Sequence, residues 1–476
     1  MKRAIQCILF LAFLCCIFSC KSSPDKAQEE ESATSSIVGT QTEALQTIER
    51  GRGERRSEYN RNDILYYLDR GMMNHYNGLY NESSEDLAEA ERLIEDAFTK
   101  SLTQEVATFI TNDNARDYSG EDYEDIYINV FNALNHYHLN DIESALVEIR
   151  RVNEKLAVLA DKYVEAREKA LSSAPDIAGA DLDIEAVQFS NSALARYLGA
   201  LFYRANGDDD DARIDLDEIH LAYELSPNVY NNSLPSSIEE ERSIPRGMAR
   251  LNVIGFVGLS PLKLESQIDL PTIFLPPPND SFLLALPEMV ERPSGIESIE
   301  VILDTGEKFR LELLEDMSKV AAETFKGKYG LIKTKTFIRA YTKAVAAGAT
   351  AKGAEMAATR QGGALVGRVT GLVAGFAGRL AADASERADV RISHFFPSCA
   401  YVGGINLEPG IYSITVNYYG AGGGLITTEH QDDVVVEENK LNLTQFSYYD
   451  PNTPNSPPQG ARSGLSSALR SSFRSR

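Results

Sequence analysis

Tryptophan is absent from this chain, histidine occurs six times, and of the five cysteines only Cys399 lies beyond residue 20. With Cys7, Cys15, Cys16 and Cys20 crowded at the N-terminus, a body holding one thiol has no intramolecular disulfide framework. Basic residues are also scarce: 47 Lys and Arg stand against 70 Asp and Glu, a formal charge of −23. Phosphate binding needs clustered cations, so this balance argues against a nucleic-acid partner and leaves a solubilising acidic surface or a basic partner. The N-terminal apolar run, residues 8–18, falls short of the roughly 20 residues a membrane-spanning helix needs. There is no His-Glu-x-x-His, no nucleophile elbow and no Gly-Lys-Ser phosphate loop, and neither a cofactor nor a metal is expected.

What is present begins at that apolar run. Lys2 and Arg3 precede it, Ile17-Phe18-Ser19-Cys20 closes it, and the polar stretch KSSPDKAQEEESATSS follows. This resembles a bacterial lipoprotein signal over residues 1–19, which implies that Cys20 becomes the lipid-bearing first residue and ties the chain to a membrane. An ordinary secretory signal and a transmembrane anchor are the alternatives. Lys21 stands where the inner-membrane retention signal of many bacteria has Asp, so the resemblance implies the outer membrane. Residues 20–57, rich in Ser, Thr, Glu and Gln, read as a flexible tether.

Residues 58–228 carry helical periodicity. In residues 122–156, Tyr123, Ile126, Val130, Leu134 and Tyr137 recur at steps of three or four, and Ile142, Ala145, Ile149, Val152 and Leu156 repeat the pattern after Asn140-Asp141. Asn tolerates the left-handed conformation that ends a helix and Asp caps the next, which predicts an antiparallel helical hairpin. Gly71, Gly78, Ser83, Leu87 and Ala90 share the steps of Ala133, Asn140, Ala145, Ile149 and Val152, as do Ala200, Gly207, Ala212, Leu216 and Ile219. The pattern resembles tetratricopeptide repeats, HLNDIESALVEI most closely. It departs from them in a spacing of 62 and 67 residues between copies and in having only Tyr67 as the aromatic four residues before the first small position. A long second helix in each unit fits that spacing, and a plain helical bundle is the alternative.

The Pro-rich stretch at 227–235 ends this half, and residues 229–449 read as strand-rich. Arg250-LNVIGFV, Ser281-FLLAL, Glu297-SIEVIL and Lys308-FRLELL are β-branched or aromatic runs, with a hairpin turn at Asp304-Thr305-Gly306-Glu307. Residues 405–407, 411–419, 433–436 and 441–449 add further strands. Residues 315–387 form an Ala/Gly-rich helical insertion. There Gly367, Gly371 and Gly375 make a smooth ridge for close helix packing, and the helix is expected to be sandwiched within the body. A membrane-associated glycine zipper is the other reading, against which Arg368 and Arg379 interrupt the apolar run. Residues 450–476 read as a disordered basic tail.

Catalytic candidates are few. His136 and His138 point about 200° apart on a helix and cannot share a metal; His75, His220, His394 and His430 are scattered. Cys399 reads as a buried strand thiol. Asp208 to Asp211 cap a helix, and the acidic run from Asn112 through Asp113 and Asp117 to Asp125 lacks the alternation of a calcium loop.

Over residues 55–420 the order of these features, with DYSGEDYEDIYINVFNALNHYHLNDIESALVEIRR, RYLGALFYRANGDDDDA, GLSPLKLESQIDLP and LEPGIYSITV, resembles a family of uncharacterised bacterial lipoproteins with tetratricopeptide-like helices. The resemblance implies architecture and envelope location, with no activity to carry over. The expectation is an α+β chain, a tetratricopeptide-like helical array followed by a mixed β-strand region with an Ala/Gly-rich helical insertion. It would act as a non-enzymatic, membrane-anchored scaffold whose repeats offer a concave surface to an envelope protein or peptide. An envelope-polymer-processing enzyme with its site between the halves, and a structural membrane-associated protein using the glycine ridge, are the alternatives.

Overall fold

A computed structural model of the chain describes residues 41–55, 57–103, 118–172, 186–271, 281–362 and 387–449, with the isolated helical positions 368, 370, 371 and 374. The signal segment, Cys20, the first half of the tether, Asn112, Asp113, Asp117, Gly367, Gly375 and the 450–476 tail lie outside these residues.

The helical half contains α1 (Gln41–Gly53), α2 (Glu58–Arg61), α3 (Asp63–Tyr76), α4 (Tyr80–Thr103), α5 (Asp122–His138), α6 (Ile142–Leu159), α7 (Val164–Ser172), α8 (Ala193–Asn206), α9 (Asp209–Leu225) and α10 (Ser236–Glu240). Three hairpins, α3/α4, α5/α6 and α8/α9, fall where the three copies of the pattern lie. Each turns through a left-handed residue: Gly78 (φ 75°), Asn140 (φ 60°) and Gly207 (φ 88°). Asp141 caps α6, its Oδ1 accepting from Ser144 N–H at 3.0 Å. The seam positions are buried as the spacing requires, Leu87, Ala90, Ala133, Ala145, Ile149, Val152, Ala200 and Ile219 being solvent-free. At Gly71 the helices approach so closely that a Cβ would lie 2.8 Å from Leu87. Neighbouring hairpins pack in series, α4 on α5 and α6 on α8.

Residues 41–53 depart from the tether reading. They form α1, whose Ala44 and Ile48 are buried in the helical core. Four residues separate these two apolar side chains, so one face of an otherwise polar helix suffices to dock it. Too narrow a stripe was left for periodicity to reveal.

The second half contributes β1 (Ala249–Val257), β2 (Leu262–Pro271), β3 (Ser281–Val290), β4 (Ile296–Leu303), β5 (Lys308–Asp316), α11 (Met317–Gly362), β6 (Cys399–Leu407), β7 (Gly410–Gly420), β8 (Leu425–Val436) and β9 (Asn442–Tyr448). Seven strands form one mixed sheet in the order β8-β7-β4-β5-β6-β1-β9, in which only β9 runs parallel to its neighbour. The sheet curls into a nearly closed barrel. Thr444 Oγ1 on β9 donates to Gln431 Oε1 on β8 at 2.8 Å, joining the two end strands at one point. Leu251, Val253, Val257, Ile299, Val301, Ile414, Val416 and Tyr418 fill the interior.

Three strands differ from expectation, the first being β6, which begins at Cys399, six residues before the stretch 405–407. β8 begins at Leu425, eight residues before the stretch read as strand, because its exposed LITTEHQDD segment shows no alternation of apolar and polar residues. β2 mixes charges along LKLESQID and pairs with β3 as a separate hairpin. That hairpin lies along α11, where Leu284 and Leu286 pack on Ala340 and Ala344.

β1 is buried on both faces. Leu251 and Val253 point into the barrel, whereas Ile254 and Phe256 point out into the helical core. Phe256 lies 5.1 Å from Phe131 of α5 between ring centroids. The face of the hairpins that was expected to be open is therefore packed by the chain's own sheet. Its burial is large, at about 1.5–3 kcal/mol for each fully buried Leu, Ile or Phe side chain.

α11 spans 46 residues, roughly 70 Å at 1.5 Å per residue. Its first half lies within the body, as expected, against α5, α7 and β3. Its second half does not: Val345 and Met356 are exposed. Gly371 packs there against Ala351 and Glu355, with a Cβ at that glycine meeting the Ala351 carbonyl at 3.2 Å. The close approach expected of the glycine ridge thus occurs at this position, on α11 itself. Among the described residues no helix is long and apolar enough to cross a membrane.

Candidate functional site

A concavity lies where the helical half meets the β2/β3 hairpin and α11. It encloses about 310 Å³. Its floor is built by the entry to α5. Gly120 takes φ 72°, which turns the chain so that Glu121 stands at the N-cap position and Glu124 reaches back, its Oε2 accepting the Glu121 N–H at 2.7 Å.

Glu121 Oε1 accepts from Lys263 Nζ of β2 at 2.7 Å and from Lys328 Nζ of α11 at 3.0 Å. Lys328 also donates to the Gly120 carbonyl. Beside them, Asp122 Oδ1 accepts from Lys162 Nζ at 2.6 Å and from the Tyr163 hydroxyl at 3.0 Å. Lys263 and Glu121 are almost wholly buried, with side-chain exposures of 2% and 1%. Burial alone would lower the Lys263 ammonium, but the carboxylates of Glu121 and Asp389 outweigh it and hold it above its ordinary value. Asp389 is the converse case: burial works upward, and Lys263 and Arg391 hold it below the usual carboxylate range.

The cluster balances charge within a low-dielectric site, and two of its oxygens are left over. Glu121 Oε2 and Asp122 Oδ2 are buried and meet no donor among the described residues. Such oxygens carry a desolvation cost of roughly 1–3 kcal/mol each, which an incoming donor would offset. Phe98, Leu93, Ile94 and Pro287 add apolar wall. The arrangement suits a charged or hydrogen-bonding group entering beside apolar surface.

A second set of buried carboxylates joins the halves. Asp69 of α3 is saturated by four donors: the Ser393 hydroxyl at 2.6 Å, His394 N–H at 2.9 Å, the Tyr59 hydroxyl at 2.8 Å and His394 Nδ1 at 2.9 Å. Burial would lower the His394 imidazole, but Asp69 outweighs it and raises it. Glu124 accepts from the Tyr118 hydroxyl and from Ser393 N–H, and burial pushes it up to about 7.

Most residues singled out from the sequence stand elsewhere. His136 and His138 do not meet. His138 stacks on Tyr80 at 4.3 Å and lies near His75, with ring centroids 6.5 Å apart. His75 is buried between Asn135 Oδ1 at 2.6 Å and Gln445 Nε2 at 2.8 Å. His220 pairs with Glu239, and His430 with Asp432. Cys399 sits on β6, where burial pushes its thiol up to about 12. Asp208 to Asp211 lie exposed at the start of α9, and Asp125 pairs with Lys155 at 2.7 Å. No group of three or more metal-ligating side chains converges among the described residues. Sequence reasoning missed Glu121, Lys263 and Lys328, which are up to 207 residues apart; no local signal connects them.

Fold and site define an α+β protein in which helical hairpins hold a nearly closed mixed sheet, with an ion-paired pocket at their junction. No family model, curated protein or solved structure matches this chain.

Proposed function

We propose that this chain is a non-enzymatic binding protein of the bacterial envelope, anchored to the outer membrane through lipid on Cys20, that takes a partner protein or peptide. Its helical hairpins are tetratricopeptide-like repeats that serve as a cradle for the sheet, so the partner engages the junction pocket and the remaining outer surface. The observation that carries this reading is the pocket's pair of buried, unpartnered carboxylate oxygens on Glu121 and Asp122, which a partner's amine, guanidinium or hydroxyl would satisfy.

The test is photo-crosslinking in intact envelopes with a reactive residue at Lys100, on the pocket rim, and a control at Val158 on α6. A reproducible adduct at Lys100 that is missing at Val158 supports the reading; the absence of any reproducible partner overturns it. Cys20→Ala tests the anchor separately and is expected to move the chain from the membrane to the soluble fraction.

The envelope-polymer enzyme reading draws on the same pocket, which lies between the two halves. It requires the purified chain to cleave envelope polymer and to lose that activity in Glu121→Gln.

A further inference from the structure

α11 and the residues just after it run against the charge of the rest of the chain. From Lys326 to Arg368 there are nine Lys and Arg and a single acid, Glu355, in a molecule where Asp and Glu outnumber Lys and Arg by 70 to 47. The cations nearer the body are committed there: Lys326 pairs with Glu323 at 2.8 Å and Lys328 with Glu121 at 3.0 Å, while Lys333 and Arg339 are buried. Lys352, Arg360 and Arg368 are exposed instead, and no acid pairs with them among the described residues.

Ala344 is the last residue of α11 in the cluster with Leu284 and Leu286 of β3. The remaining residues, 345–362, carry the helix roughly 25 Å further at 1.5 Å per residue. Ala344, Gly348 and Ala351, at steps of four and three, form a buried face, on which Gly371 closes at Ala351. A different face is open. Val345, Ala349, Lys352, Met356 and Arg360 follow one another at steps of four, three, four and four, and all are exposed. Thr342 and Thr359 lie on the same face, and their hydroxyls donate to the Ile338 and Glu355 carbonyls at 2.7 Å within the helix. Both threonines can enter an apolar boundary without giving up a partner.

We propose that this open face of α11 lies on an anionic lipid surface as a peripheral contact. Val345, Ala349 and Met356 enter the boundary between headgroups and acyl chains, and Lys352 and Arg360 reach along it to lipid phosphates while their apolar stems stay on the helix. Arg368 adds a third cation. The contact runs along the surface, since no helix among the described residues is long and apolar enough to cross a membrane. Lipid is favoured over a soluble acidic partner on two grounds. A helix face is convex and offers a bound polypeptide no groove to set its register, whereas a plane of headgroups needs none. The polar groups between the cations are also already satisfied inside the helix, which suits a boundary poor in water. The contact depends neither on lipid at Cys20 nor on the junction pocket.

The chain contains no tryptophan, so Met356→Trp places a single fluorescent reporter on the face. The test follows its emission in the full chain carrying Cys20→Ala, which removes the proposed anchor, as vesicles are added. These are phosphatidylcholine alone or an equal mixture with phosphatidylglycerol. A blue shift with the anionic vesicles and none with the neutral ones is expected. Lys352→Gln together with Arg360→Gln is expected to raise the lipid concentration giving half the shift at least tenfold, with circular dichroism unchanged. Val158→Trp on α6, in a chain that keeps Met356, is expected to hold its emission constant. No shift with anionic vesicles overturns the proposal, as does an equal shift with neutral ones, indifference to the paired substitution, or a matching shift at Val158→Trp. A shift produced equally by polyglutamate in place of vesicles assigns the face to an acidic protein, and one that grows with protein concentration before lipid is added assigns it to a second copy. Either result overturns the lipid contact.

Discussion

Glu315 at the end of β5 accepts a hydrogen bond from the Tyr127 hydroxyl of α5 at 2.6 Å, across 188 residues of sequence. The same carboxylate accepts from the Tyr230 hydroxyl at 2.6 Å, the Ser192 hydroxyl at 3.0 Å and Leu194 N–H at 3.2 Å. It is fully buried, and burial raises it above the ordinary carboxylate range. One side chain from the sheet thus satisfies four donors from the helical half, including the N-terminal turn of α8.

Glu315→Ala would leave three buried hydroxyls and an amide without that acceptor. At about 1–3 kcal/mol for each group that water cannot reach, the loss should be at least about 3 kcal/mol. Urea unfolding followed by circular dichroism reads it as a lower midpoint. A midpoint unchanged from that of the parent would show that these donors find other partners.

Stability should respond to pH through two buried groups of opposite sign. Burial lowers His75 from 6.5 to about 4, so the unfolded chain binds a proton there before the folded one does. Stability falls as pH drops from 6.5 toward 4, by about 3 kcal/mol at full effect. His75→Gln should flatten that slope, measured as unfolding midpoint against pH.

Burial raises Glu124 from 4.5 to about 7, and here the folded chain holds the proton more tightly. Its contribution is greatest below pH 4.5 and declines as pH rises to 7, again by about 3 kcal/mol at full effect. Glu124→Gln should remove this decline. A slope between pH 4.5 and 7 that is the same in the variant would place the proton on another group.

Asn140 holds φ 60° at the α5/α6 turn. Asn140→Gly should be neutral or stabilise slightly. Asn140→Ala should cost about 1 kcal/mol, since a Cβ is disfavoured in that conformation and Ala lacks the polar group that eases it. Equal stabilities for the two variants would count against strain at this turn.

Cys399 is only partly exposed and its thiol is held at about 12. Alkylation by iodoacetamide at pH 8 should therefore be slow, because the thiolate is the reactive form. In urea the rate should rise to that of a model thiol, and mass spectrometry reads both.

The hairpins were legible because each rests on short-range signals. Asn140-Asp141 turns and caps, and Ala133, Ala145, Ile149 and Val152 mark a seam within 20 residues of one another. β4 and β5 were legible for a similar reason, as Gly306 with φ 92° closes their turn. β8 was read short because LITTEHQDD is solvated on both faces and needs no alternation. β2 was missed because its buried residue is Lys263, which looks solvent-facing until Glu121, 142 residues away, is placed beside it. The pocket shares that property: its charges read as surface until the fold buries them in pairs.

The sheet that fills the hairpins' inner face is made last. Between Asn206, the end of α8, and Tyr448, the end of β9, lie 242 residues, which synthesis at 5–20 residues per second takes roughly 10–50 s to add. Within that interval Phe131 waits 50 residues past Asn206 for Phe256 and 190 residues for Phe396, the two rings it packs against from the second half. The two halves mature as one body, and a truncated helical half would present its inner face as a sticky surface.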